Sequence, residues 1–147
     1  MEPAATTTRV LQCTVVTPER AVLDEPADFV SLPMYDGELG VLPGRAPLIG
    51  RLGAGELRLR RGQQERRYFV DGGFAQVRRN VVTVLTPRAV RAEDIDAAAA
   101  SHALATAMTP GKTPQEQEAR LKDQQRARVQ LRIAERARGG VAAAHHA

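Results

Sequence analysis

Polar and apolar positions alternate along the first part of the chain. Residues 9–17 read RVLQCTVVT, with Leu11, Cys13 and Val15 on one face and Gln12 and Thr14 on the other. That period of two, rich in β-branched residues, predicts a half-buried strand, and Pro18 ends it. Residues 21–23 and 27–32 predict two more short strands, the second closed by Pro33. Residues 56–61 alternate Leu57 and Leu59 against Arg58 and Arg60. Residues 67–70 and 74–77 flank Gly72-Gly73, a pair suited to a tight turn at positive φ. Residues 81–86, entered through Arg79-Asn80 and stopped by Pro87, complete the set. Many short strands with this punctuation predict an all-β sandwich or barrel. Residues 36–50, DGELGVLPGRAPLIG, break the pattern, and their glycines and prolines predict a structured loop without a strand of ordinary length. Leu39, Val41 and Leu42 are expected to face outward from it, as interface anchors would.

After Pro87 the period changes. Ala92-Glu93-Asp94-Ile95-Asp96 opens an alanine-rich run to Met108, and acidic residues in a first turn favour a helix start. A break around Pro110-Gly111 follows. Thr113, Pro114 and Glu116 then form a capping-box pattern for a second helix, expected to end at Gly139-Gly140. Two helices joined this way predict an antiparallel hairpin. Neither has a strong apolar stripe. Ala127, Leu131 and Ala134 line one face of the second helix, with Val129 and Ile133 to the side. Such a thin hairpin buries little by itself, so it is expected to be marginal or mobile, and either to dock on a partner or to alternate between two arrangements. The predicted organisation is an extension at residues 1–8, a β-domain at 9–88, a helical hairpin at 92–138 and a disordered tail at 139–147.

Composition narrows the function. The chain has 147 residues, 43% of them apolar but only 3% aromatic and none Trp, so its core must be built from small aliphatic side chains. The formal charge of +4 raises the question of nucleic acid. Its distribution argues against that partner. Residues 1–87 carry 11 basic and 10 acidic side chains, whereas residues 112–138 carry 8 and 4. The basic tail has no aromatic to stack on a base, and its arginines are interleaved with Glu and Gln. Cys13 stands alone and excludes a disulfide framework. Its alternating context marks it as a core residue. The three histidines, His102, His145 and His146, lack the spaced carboxylates or thiols of a zinc set, and His102 is expected to pack in the hairpin. Asp71 reads as a turn cap beside Gly72. Lys112 lacks the glycine spacing of a phosphate loop. No nucleophile–base pair, catalytic carboxylate pair, metal set or cofactor motif is present. No apolar run is long enough to span a membrane, and the N-terminus does not read as a signal peptide.

The loop at residues 36–50 resembles the G-E-L-G-x-x-P-x-H-A-P-L signature of the epsilon subunit of F-type ATP synthases, called delta in mitochondria. The matching residues are Gly37, Glu38, Leu39, Gly40, Pro43, Gly44, Ala46, Pro47 and Leu48. Further matches follow in order: FVDGGFAQV around Gly72-Gly73, NVVTVLTPRAV, the helix opening AEDID, and QLRIAE at residues 130–135. The similarity covers roughly residues 10–136, both parts in register. It implies an N-terminal β-sandwich that binds the gamma subunit and sits on the c-ring. It also implies a C-terminal hairpin that can extend along gamma, meet the alpha and beta subunits transiently, and inhibit ATP hydrolysis. The chain would then be a non-catalytic rotor subunit, coupling proton translocation to ATP synthesis from the cytoplasmic face of the bacterial plasma membrane, to which it is peripheral.

On the family pattern Glu38 is the acidic residue of the loop facing the c-ring, with Leu39, Leu42 and Arg45 as further interface residues. Arg45 stands where many relatives have His, and a guanidinium keeps its charge at all physiological pH. Some bacterial relatives bind ATP on the hairpin through an Ile/Leu-Asp-x-x-Arg-Ala motif. Residues 121–127 resemble it with one extra residue between Leu121 and Asp123. Asp123, Arg126 and Arg128 are therefore the ATP candidates, set against a solvated helix face with local ion pairs. The alternative reading of the whole chain is a free-standing ATP-sensing module.

Overall fold

The computed structural model describes residues 10–146, with side chains through Arg138, and divides into two compact units, Met1–Ala89 and Val90–Ala147. The extension expected at residues 1–8 lies outside the described residues.

The first unit is built from β1 (Leu11–Val16), β2 (Ala21–Ala27), β3 (Phe29–Met34), β4 (Gly37–Val41), β5 (Leu48–Arg61), β6 (Gln64–Arg78) and β7 (Val81–Leu85); β8 (Ala89–Arg91) pairs with β6. The strand order is β2-β1-β7-β6-β5-β3-β4, antiparallel except for the β1–β7 pair. One core runs through it. Leu11, Cys13 and Val15 of β1 join Val30 and Leu32 of β3, Val41 of β4, Leu57 and Leu59 of β5, Val70 and Val77 of β6, and Val82 and Val84 of β7. The period of two seen in the sequence is thus the inward face of a β-sandwich.

Three predicted boundaries move, each for a physical reason. β2 runs past the expected end at Leu23, through Pro26, to Ala27, and Pro33 lies inside β3 without ending it. β2 is an edge strand, and the β3–β5 register is irregular between Ser31 and Met34, so neither position demands a ladder donor from proline. Residues 36–50 contain β4 and the start of β5, where a loop was expected. Glycine permits this because β4 runs close beside β3: a Cβ on Gly40 would meet the Phe29 ring at 3.0 Å.

Gly72-Gly73 is not a hairpin turn. Both residues sit within the 15-residue β6, at φ +79° and +105°. β5 and β6 stay in register from Leu48↔Val77 to Arg61↔Gln64. Their buried positions nevertheless change parity, from Leu52, Ala75 and Val77 to Leu57, Leu59, Tyr68 and Val70. A regular pleat alternates strictly, so the change needs a break in it. The positive-φ glycines supply that break and let one long hairpin serve both layers.

The second unit opens with a short 3-10 turn, Ala92–Asp94, followed by α1 (Ala97–Ala107) and α2 (Pro114–His146). The acidic residues expected to start the first helix fall largely in the 3-10 turn. The cap is Asp96, whose side chain accepts from the Ala99 N–H at 3.0 Å. Thr113 caps α2 by accepting from the Glu116 N–H at 3.1 Å, while the Glu116 carboxylate reaches the Lys112 N–H at 2.7 Å. The reciprocal bond of the capping box is therefore displaced by one residue.

The backbone of α2 continues through Gly139-Gly140 to His146, where a stop and a disordered tail at 139–147 were expected. The alanines at 142–144 favour helix on the far side of the glycines, each of which costs only about 1 kcal/mol there. The side chains beyond Arg138, His145 and His146 among them, lie outside the described residues. Val129 and Ile133, expected at the side of the stripe, are buried together with Ala127 and Ala134, whereas Leu131 is only half-buried. His102 is exposed and not packed.

Candidate functional site

The sequence candidates of the β-domain lie along β4 and the loop after it. Glu38 is exposed on β4, the last strand of the sheet, opposite Pro33 of β3. Leu39 pairs with Leu32 and packs, half-buried, against the core. Val41 pairs with Val30 and is fully buried. The expected outward triplet therefore reduces to Leu42, which is 58% exposed. Alternation explains the result: a strand where a loop was expected sends residues 39 and 41 inward.

Arg45 is exposed in the loop that follows β4. Its N–H donates to the Leu42 carbonyl at 3.2 Å, closing a turn. Asn80, at φ 65° in the two-residue β6–β7 turn, holds that turn from below through its side-chain oxygen, which accepts from the Gly44 N–H at 2.8 Å. The Asn80 carbonyl also accepts from the Gln12 N–H at 2.8 Å. One residue thus fixes the loop to two strands. Glu38 and Leu42 are separated by about 13 Å at 3.3 Å per residue of strand. The structure therefore does not bring Glu38 together with Leu42 and Arg45; they mark opposite ends of β4.

A larger surface was missed in the sequence. The outward faces of β5, β6 and β7 carry Ile49, Phe74, Val81 and Leu85, of which Ile49 is 74%, Phe74 53% and Leu85 52% exposed. Phe74 is directly opposite Leu85 on β7 and opposite Arg51 on β5. The Arg51 guanidinium lies 4.5 Å over the exposed Tyr35 ring in the β3–β4 turn. Tyr35, Arg51, Phe74 and Leu85 therefore form one row across the sheet, with Val16 of β1 beside Leu85. The signal was available: period two places these apolar residues where a solvated strand carries polar ones. Exposed aromatic and aliphatic side chains paired across neighbouring strands, as Phe74 and Leu85 are, mark an interaction site.

On the hairpin, α2 side chains close the C-terminal end of α1. Gln124 donates to the Ala107 carbonyl at 2.9 Å and Arg120 to the Thr106 carbonyl at 3.4 Å. Of the ATP candidates, Arg126 donates to Asp123 at 3.0 Å. Arg128 leans toward Gln124 and the Met108 sulfur, at 3.5 and 3.6 Å. Positions 126 and 128 do not share a helix face, so the three candidates do not converge. Among the described residues no group of three or more His, Cys, Asp or Glu side chains is placed to hold a metal ion, and no helix is long and apolar enough to cross a membrane.

Comparison with known proteins gives concordant results. Residues 10–92 match the family model for the ATP synthase Delta/Epsilon chain, beta-sandwich domain. The chain is 56% identical over 125 residues to an ATP synthase epsilon chain of Rhodopirellula baltica, covering 83% of this chain and 96% of the relative. It is 42% identical over 128 residues to that of a Synechococcus strain, covering 85% and 93%. Among solved structures, a chain of the Euglena gracilis mitochondrial ATP synthase OSCP/F1/c-ring assembly superposes with a TM-score of 0.67 at 26% identity, over 90% of this chain and 82% of that one. A chain of the Tetrahymena thermophila mitochondrial ATP synthase central stalk and c-ring gives 0.66 at 13% identity, over 84% and 96%, a likeness of fold.

Proposed function

The chain belongs to the delta/epsilon-chain family of ATP synthases, and from that premise we propose that it is the epsilon-type subunit of an F-type rotor. It stands in the central stalk, binds the gamma subunit, rests on the c-ring and couples ion translocation to ATP synthesis. It has no catalytic group and no cofactor of its own; the nucleotide chemistry takes place on other subunits. Attachment to the membrane is peripheral, through the complex, on the cytoplasmic face of the bacterial plasma membrane.

The observation that carries this reading is the exposed row of Phe74 and Leu85 on the β-domain. Fully burying a side chain of this size contributes about 1.5–3 kcal/mol, so even half that area on each makes the pair an effective anchor for gamma. The ring contact falls to the β3–β4 end, where Glu38 is exposed on β4 and Leu39 seats the strand against the core. Leu42 and Arg45 form a second contact at the far end of β4. The hairpin restrains hydrolysis when it extends toward the alpha and beta subunits. Its folded state is held by its own side chains, Arg120 and Gln124 on the α1 carbonyls, and the pairing of Arg126 with Asp123 supports a solvated helix face over an ATP site.

The test is co-expression with the gamma subunit encoded in the same genome. The chain is expected to co-purify stoichiometrically in moderate salt, and a Phe74→Glu/Leu85→Glu variant to bind at least about 100-fold more weakly, equivalent to about 2.7 kcal/mol. Failure of the folded wild-type chain to bind gamma would overturn the reading, and ATP titration of the lone protein would then be decisive.

A further inference from the structure

Charge is nearly balanced over residues 1–87, with 11 basic against 10 acidic side chains, but it is not evenly spread in space. Most arginines of the β5–β6 hairpin are matched by carboxylates. Arg66 meets Glu25 at 2.9 Å, Arg67 meets Glu56 at 3.0 Å, and Arg61 lies 3.7 Å from Asp28. Arg45, Arg78 and Arg79 differ. All three are exposed, and among the described residues none of them has an ion-pair partner.

These three belong to one place in the fold. Arg78 and Arg79 enter the β6–β7 turn, and Arg45 follows Gly44, whose N–H is held by Asn80 of that same turn. Asn80 therefore ties the backbone beside Arg45 to the turn that carries Arg79. Two exposed aliphatic side chains adjoin the same turn: Leu42, whose carbonyl accepts from Arg45, and Val81, which pairs with Arg78.

We propose that this end of the β-domain docks an acidic polypeptide segment that also carries aliphatic side chains. Three unmatched guanidiniums attract carboxylates and can hold them through two parallel hydrogen bonds each. Leu42 and Val81 give the segment an apolar footing within that charged rim. Single-stranded nucleic acid would want an aromatic platform, and neither the turn nor the loop has one. Three cations and two aliphatic side chains are also too few to hold a lipid surface. The inference names the partner chemistry of the Leu42–Arg45 contact and rests on the rotor reading only for where that partner comes from.

The experiment uses the isotope-labelled full chain and a dodecapeptide of Glu-Glu-Leu repeats. Amide shifts are expected at residues 42–45 and 78–81, with affinity falling steeply as salt rises. Arg45→Glu/Arg78→Glu is expected to weaken binding at least about tenfold; it leaves the positive-φ Arg79-Asn80 turn intact. Arg20→Glu, in the β1–β2 turn at the other end, is expected to bind as wild type. Absence of shifts, undiminished binding by the double variant, or stronger shifts of the same residues with phosphatidylglycerol vesicles or a DNA dodecamer would overturn the proposal. The peptide is read on the lone chain. Loss of gamma binding with retained peptide binding would therefore overturn the rotor reading alone, and the converse would overturn this inference alone.

Discussion

Single residues set the limits of the β-domain. Cys13 is buried in β1, and burial, then Glu25 and Asp24, push its thiol up to about 12 from 9.0. The thiolate is disfavoured in the folded chain, so the unfolded chain releases its proton first. The corresponding stability is intact below about pH 9 and is lost as pH rises toward about 12, at about 1.4 kcal/mol per pH unit. Denaturation from pH 8 to 11 is expected to show this alkaline decline in wild type and its absence in Cys13→Ala; equal slopes would show that the thiol is not the cause. Gly73 is held more tightly still, since a Cβ at its φ of +105° would fall on the Leu85 carbonyl oxygen. Gly73→Ala is expected to destabilise by about 3 kcal/mol or more, read in urea melts, whereas an exposed substitution such as Arg78→Ala should stay within about 0.5 kcal/mol. The core role of Cys13 was legible from alternation alone. The roles of Gly73 and Asn80 were not, because both depend on strands far apart in sequence.

At the level of elements, strand periodicity was the most readable feature and the meaning of glycine the least. β1 and β7 follow directly from alternating apolar residues. β4 and the single long β6 were hidden because glycine marks a turn, a close approach or a break in the pleat equally well, and only pairing decides between them. A loop at residues 36–50 would turn Leu39 and Val41 outward; β4 turns them inward instead, against the core. In the hairpin, the capping residue Thr113 was legible, but the contacts of Arg120 and Gln124 with α1 were not. These contacts satisfy carbonyls that a helix end leaves open and place a cation at the negative end of its dipole. Arg120→Ala/Gln124→Ala is expected to cost the hairpin about 1–2 kcal/mol and to raise amide exchange in α1 at least several-fold, with the β-domain unchanged. Unchanged exchange in α1 would remove the clasp from the account.

For the molecule as a whole, a β-domain with one exposed apolar face and a weakly apolar helical arm suits a part that works only within a larger machine. The order of the two parts and the family they belong to were legible because GELG, DGG and the QLRIAE stretch each occur once, in that order, along the chain. The apolar face itself required the pairing of Phe74 with Leu85 to be seen. Removing residues 92–147 is expected to leave assembly with gamma intact and to raise ATP hydrolysis several-fold; unchanged hydrolysis would show that the arm does not restrain it. Rotor coupling is read in proton-driven ATP synthesis by membrane vesicles stripped of this chain and then reconstituted with it. Synthesis is expected to fall on removal, to return with the wild-type chain, and not to return with Phe74→Glu/Leu85→Glu. Synthesis that continues undiminished without the chain would contradict rotor coupling.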